Sequence, residues 1–410
     1  MLNFINNFFI LKKNKKKKDF VLNIINDIKN YGDYALKYYI KKIDGVNINC
    51  TNKIKLYKKY MKKAFLKLNL KKKKIIKEIF IRIKKYHFHF YKNSWQIINK
   101  NIIYGQKIEK IEKICIYIPG GNTIYPSSIF MNAIPSLIHN PKKLIMITPI
   151  KNGIISNLIL SISYICNINY ILLSGGVHTI TSITFGTKNI KKTNKITGPG
   201  NKFVTKSKKI LFGNIGIDML AGPSELFILC EDNLHPKIII NDFFSQLEHD
   251  INSISFLLSN NKKYLTNIYI NLYKKIKFQK NKKIIFNSLN NSYIIFNNFY
   301  NSLKIINFIS PEHLMLCIKF SFKLLKKINN CGTIFLNYKT SISYGDYIVG
   351  PSHVIPTNKN SKFCSALNID DFCKKINIIK INNNLYSKIL SSYFSKKEKF
   401  YCHSFSSILR

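Results

Sequence analysis

Two side chains able to present lone pairs lie three residues apart in the stretch SQLEHD (245–250): the amide of Gln246 and the imidazole of His249. Residues three apart share a helix face, so the pair can converge on one object, and a metal ion is one candidate. A solvated polar face is the other reading of an isolated Q-x-x-H. More polar groups of this kind recur along the chain: GPGN (198–201), AGPSE (221–225), SPEH (310–313), GDYIVGPSH (345–353), and an E-x-x-x-x-H pair, Glu398 and His403. Carboxylates and imidazoles are the groups that move protons near neutral pH. Each motif alone also has a plain structural explanation. GPGN reads as a turn, SPEH as the proline-started, acidic first turn of a helix, and HFH (87–89) shows histidines recurring where no chemistry is assigned.

The elements that must position these groups are legible from periodicity. Apolar spacing of three and four in VLNIINDIKNYGDYALKYYIKKI and in KKKKIIKEIFIRIKKYHFHFYKNSW predicts helices through the first hundred or so residues, the second of them long, basic and amphipathic. From Ile114 the character changes. ICIYIPGG, KKLIMITPI, NYILLSGG and NKITGPGN each join a short Ile-rich run to Gly or Pro, with helix-length segments between most of them. That alternation predicts βαβ units around a parallel sheet, with the Gly-rich ends at the strand C-termini, where such folds bind ligands. A second series follows: ELFILC, the helix carrying SQLEHD, SISFLLS, SYIIF, LMLCI and the strand of KKINNCGTIFLNY. The last fifty residues read as helix without a strand. No short fixed-period repeat is visible, but two α/β units of similar size are.

Composition narrows the function classes. With 410 residues and 46% hydrophobic content the chain can build two or three cored domains. The formal charge of +47 would point to a polyanionic partner, yet only Arg82 and Arg410 are arginines and the lysines are spread along the whole length. Base-reading proteins rely on the forked guanidinium, and phosphate patches are clustered. The charge therefore reads as coding bias, and no specific nucleic-acid partner is expected. Nine dispersed cysteines without C-x-x-C argue against a disulfide framework or a zinc ribbon and for a reducing interior. The start, MLNFINNFFILKKNKKKK, has its apolar residues before its charges, the reverse of a secretory signal. The apolar region 144–176 is broken by Pro149, Lys151, Gly153 and several Asn, so no membrane span is expected. A cytoplasmic protein is the reading.

Taken together and in order, YIPGG (117–121), FGT (185–187), GPGNKFVTKSK (198–208), IDMLAGPSE (217–225), SQLEH, PEHL (311–314), GDYIVGPSH and E-x-x-x-x-H resemble histidinol dehydrogenase, from about residue 21 to 410. The resemblance implies an α/β fold of two incomplete Rossmann-like parallel-sheet domains with a C-terminal helical dimerisation arm. It divides the chain into a basic tail (1–20), a discontinuous first α/β domain carrying the metal and catalytic residues (21–114 and 226–358), a second on the NAD side (115–225), and an arm reaching the partner subunit (359–410). It implies a homodimer with composite sites that oxidises L-histidinol to L-histidine through L-histidinal with NAD, in the last steps of histidine biosynthesis. One Zn2+ per subunit would be held by Gln246, His249, Asp346 and His403, the last from the partner. His313 resembles the base taking the alcohol proton and Glu312 the base activating water. Ser224, His353 and Glu398, with His313 and the metal ligands, match substrate-contacting positions; Tyr117, His178 and Asn201 match positions near the dinucleotide.

This chain departs from the pattern in several places. His178 in GGVHTI stands where the family has Gln, Ser404 follows His403 where Lys is usual, the loop between GPGN and AGPSE is shorter, and the N-terminal part matches loosely. A zinc hydrolase using the same His, Asp and Glu set and a basic nucleic-acid binder are the competing readings. Turnover of histidinol with NAD separates the first, and clustered Arg with interleaved aromatics, both missing, would mark the second.

Overall fold

The computed structural model describes residues 19–99, 101–120, 125–150, 155–382 and 384–410. The basic tail and Gly121 of YIPGG lie outside the described residues, except that Asp19 and Phe20 at the end of the tail are described.

Two mainly parallel sheets carry the fold. The first contains β1 (Lys55–Tyr57), β4 (Lys113–Tyr117), β5 (Lys143–Ile147), β6 (Tyr170–Leu172), β7 (Lys195–Thr197) and β8 (Gly216–Ile217), in the order β1-β6-β5-β4-β7-β8, with only β1 antiparallel to its neighbour. The second is wholly parallel, with β9 (Glu225–Cys230), β10 (Ile254–Ser259), β11 (Tyr293–Phe296), β12 (His313–Cys317) and β13 (Thr333–Leu336) in the order β11-β10-β9-β12-β13. Successive strand residues feed opposite faces. Ile114 and Ile116 enter one core while Cys115 and Tyr117 enter the other; Leu226 and Ile228 likewise part from Phe227 and Leu229. Sheets buried on both faces require near-continuous apolar strands, which is why these runs stood out. Each sheet reverses its strand order at one point, between β4 and β7 in the first and between β9 and β12 in the second.

The structure corrects the division of the chain. The N-terminal helices were expected with residues 226–358, but Val21, Ile24, Ile28 and Leu36 share a core with Cys115, Ile145 and Leu172 of the first sheet. Met61, Ala64, Ile76 and Ile83, on the helices Lys58–Leu66 and Leu70–Phe88, join the core on its other face. An amphipathic stripe shows which side of a helix is covered, not which sheet covers it.

A third, antiparallel sheet was not expected. β2 (Trp95–Asn99), β3 (Ile102–Lys110) and β14 (Cys373–Ile381) pair in the order β14-β3-β2. The arm read as purely helical therefore carries a nine-residue strand on β3, after two short helical turns at Asn360–Lys362 and Ile369–Phe372 and before the helices Leu385–Lys397 and Tyr401–Ile408.

Candidate active site

A cleft of about 270 Å³ lies between the two parallel sheets, lined by Pro199 and Gly200 from one side and by Ser224, Gln246, His249, Glu312, His313 and Asp346 from the other. From the first sheet it receives the loops at the C-termini of β4 and β7, as open α/β sheets usually present ligand sites. From the second it receives the strand N-termini: Ser224 precedes β9, Glu312 precedes β12 and His313 opens it. Register makes this pair close. His313 is opposite Leu226, so Glu312 comes level with Glu225, whose N–H donates to Glu312 Oε2 at 2.9 Å.

Gln246 is the penultimate residue of the helix Pro236–Leu247 and His249 follows its end. Asp346 sits in the helix Ile342–Tyr347. His313 stands between two carboxylates, with Nδ1 3.7 Å from Glu312 Oε2 and Nε2 3.7 Å from Asp346 Oδ1. Burial pulls its imidazole down, but Glu312 and Asp346 outweigh it and the net shift is upward. Burial pushes the Glu312 carboxyl up to about 7, against the pull of His313 and the Glu225 N–H. Asp346 is held below its usual range: desolvation pushes it up, and His313, His353 and His249 prevail. Desolvation lowers His249, with Asp346 opposing.

His353 is fixed by two bonds, Nδ1 to the Asp346 carbonyl oxygen at 3.0 Å and Nε2 to Ser128 Oγ at 3.2 Å. A carbonyl only accepts, so Nδ1 carries the proton and Nε2 accepts from the serine. Desolvation, which lowers this imidazole, fits that neutral form.

The three expected cofactor contacts are placed differently. Tyr117 is buried and its hydroxyl accepts the Gly176 N–H at 3.3 Å, burial raising it to about 12. Asn201 caps the helix Lys202–Leu211, its Oδ1 accepting from Phe203 and Val204 N–H. His178 is fully buried, with Nε2 3.2 Å from Asp44 Oδ2 and 3.1 Å from Ser174 Oγ. Glu398 and His403 are exposed on the C-terminal helices, and the chain does not bring them to its own cleft.

Sequence reasoning missed several contributors. Tyr125 and Ser128, from the start of the helix Pro126–Ile138, and Tyr347 beside Asp346 line the cleft; YPSS looks like any proline-started helix. A buried ion pair, Lys208 with Asp218, braces the GPGN turn: Asp218 Oδ2 accepts the Gly198 N–H at 2.7 Å and Lys208 Nζ donates to the Gly198 carbonyl at 3.0 Å. Gly198 is required there. Its φ is +112°, and a Cβ would stand 2.1 Å from the Tyr117 carbonyl oxygen.

A cleft walled by two parallel sheets, with a paired Glu–His at a strand start and a Gln, His and Asp facing it, defines an α/β enzyme site built for proton transfer. Comparison with known proteins gives it a family. The sequence model of histidinol dehydrogenase matches residues 11–410. Histidinol dehydrogenase of Nitrosospira multiformis is 32% identical over 395 residues, covering 95% of this chain and 90% of the relative. That of Clostridium acetobutylicum is 35% identical over 356 residues, covering 86% and 82%. The crystal structure of histidinol dehydrogenase from Elizabethkingia anophelis superposes with a TM-score of 0.92 at 28% identity, covering 100% of this chain and 96% of that one. The chain belongs to the histidinol dehydrogenase family, a family of oxidoreductases.

Proposed function

We propose that the cleft oxidises L-histidinol to L-histidine through L-histidinal, in the cytoplasm, with NAD as oxidant and one Zn2+ per subunit. The observation that carries this is the convergence of Gln246, His249 and Asp346 on the cleft that also holds Glu312 and His313.

The donor set fits zinc, which takes imidazole nitrogen and carboxylate or amide oxygen. Gln246 offers a buried amide whose nitrogen has no partner among the described residues. Among those residues no group of three His, Cys, Asp or Glu is arranged to hold a metal; the cleft supplies two such residues plus Gln246, and His403 of a second copy would be the fourth ligand, with Glu398 beside it on the substrate. The crevice at the ends of β4 and β7 fits a dinucleotide. At Gly120 a Cβ would meet the Pro149 carbonyl oxygen at 2.1 Å, and at Gly198 that of Tyr117, so glycine lets the loops after β4, β5 and β7 close against one another ahead of the helix Lys202–Leu211, whose N-terminus is a favourable place for a diphosphate. When bound, Zn2+ orients the substrate's amine and imidazole and NAD supplies the hydride acceptor.

The chain's own groups then do the proton work. His313, its basicity raised by two neighbouring carboxylates, takes the alcohol proton. Glu312, held near neutrality, accepts a proton from the water that adds to the aldehyde. Ser224 and His353 wall the substrate on the side of the β9 start. Tyr117, His178 and Asn201 do not line the cleft themselves and are proposed to support the NAD side from behind, Tyr117 through its bond from the Gly176 N–H and Asn201 as the cap of the helix Lys202–Leu211. In the reaction as written, purified protein loaded with Zn2+ reduces NAD when given L-histidinol and stops when a chelator strips the metal. Hydrolysis of acyl substrates without NAD reduction would favour the zinc-hydrolase reading instead.

A further inference from the structure

Behind the cleft lies a second, smaller cavity of about 70 Å³. It is not a separate compartment. Pro199, Ser224, Glu312 and His353 line both spaces, so the Glu312 carboxyl stands in the partition between them. The far wall is polar as well, with Asp218 and the hydroxyl-bearing Thr357, while Ala221 and Ile355 supply apolar surface. Water occupies roughly 30 Å³ in the liquid and settles where several polar groups face it, so about two waters fit beside Ser224, Glu312 and the Thr357 hydroxyl.

One oxygen of Glu312 is already committed to the protein. Its Oε2 accepts the Glu225 N–H at 2.9 Å and faces His313 Nδ1 at 3.7 Å. That leaves Oε1 as the oxygen with capacity for a further donor. Both spaces meet at the Glu312 carboxyl, so a water held in the smaller one reaches it without passing through the mouth of the cleft.

We infer that the cavity lined by Glu312, Ser224, His353, Asp218 and Thr357 is a water-binding site that supplies the nucleophile for aldehyde hydration from behind the substrate. The inference rests on the reading of the cleft as a histidinol-oxidising site. The step balances without an oxidant: the water oxygen bonds to the aldehyde carbon, one water proton passes to Glu312, and the carbonyl oxygen takes the proton His313 removed from the alcohol, giving the gem-diol. The residual water in the cavity then refills the attacking position.

Ala221→Leu, which fills the cavity without replacing an assigned site residue, tests this, with Met219→Phe from the same lining as a second filling variant. Single-turnover NAD reduction is followed with L-histidinol and, separately, with supplied L-histidinal. The filled variants are expected to keep the first reduction and the bound zinc while slowing histidinal oxidation about tenfold or more, so that free aldehyde accumulates. Adding Ile355→Ala to Ala221→Leu returns volume and should restore the second step. Equal slowing of both steps, or parental oxidation of histidinal in a filled variant that binds zinc, overturns the inference. Absence of any second reduction in the unsubstituted enzyme would instead contradict the reading of the cleft on which it rests.

Discussion

The N–H of Glu225 donates to Oε2 of Glu312 across 2.9 Å, joining two buried carboxylates at the starts of neighbouring parallel strands. Glu225 is 1% exposed, its Oε1 accepts the Asn358 N–H at 3.2 Å, and its Oε2 has no hydrogen-bond partner among the described residues. Burial first, and the facing Glu312 carboxylate second, push it up to about 8. Its folded-state pKa therefore exceeds the ordinary glutamate value of 4.5. Folded protein binds more protons than unfolded in that window, so its contribution to stability is full below about 4.5 and is lost as pH rises towards 8. Glu225→Gln removes that loss. Relative to the parent, the variant should gain on the order of a few kcal/mol between pH 5 and 8, read from denaturant midpoints at each pH. Parallel pH profiles for the two proteins would show that Glu225 is ionised throughout.

Glu312 and His313 should fail differently. Glu312→Gln keeps the Glu225 bond but cannot take a proton from water, so oxidation of supplied histidinal should fall by roughly two orders of magnitude or more with the first reduction much less affected. His313→Ala should slow the first reduction. Equal losses in both half-reactions for both variants would remove the division of labour.

Glu398 and His403 are exposed and away from the chain's own cleft, and the proposed composite site, completed by a second copy, predicts complementation between defective subunits. His249→Ala and His403→Ala homodimers should each lose zinc and activity. Mixed and allowed to exchange, they form heterodimers in which one site combines the intact His249 of one chain with the intact His403 of the other. Activity should return to at most about half of the parental value per heterodimer. Exchange without recovery means that each arm serves its own chain.

Gly198→Ala should be costly in a way no flexible side chain can relieve. A positive φ and a backbone oxygen 2.1 Å from the new Cβ together predict a loss of roughly 2–5 kcal/mol, seen as a lowered Tm. Weakened NAD binding should accompany it, because the GPGN turn must move. A Tm within a degree or so of the parent would place no steric demand on this turn.

Much of this was legible in the sequence because parallel strands buried on both faces leave a strong signal. ELFILC and KICIY are apolar at nearly every position and end at Gly, Pro or acidic residues. The third sheet left none. All five residues of β2 are exposed, and in β14 only Cys373 is even half-buried, so neither shows the alternation of a half-buried strand. The contacts of β14 with β3 join segments some 270 residues apart, beyond any local rule. Distance also hid the partner of His178, since Asp44 lies 134 residues away. The site was different: Gln246, His249, Glu312, His313 and Asp346 were readable as candidates from motif order, and the structure brings all five to one cleft. That Glu312 and His313 stand at the N-terminus of β12, facing the strand C-termini of the other sheet, was not readable, because it follows from how the two sheets face each other.

The most direct test of the whole account counts reduced NAD against substrate. With limiting L-histidinol, excess NAD and zinc-loaded protein, the absorbance of reduced NAD should rise to two equivalents per histidinol, with L-histidine as the sole product. One equivalent with histidinal left in solution, or none, would contradict it.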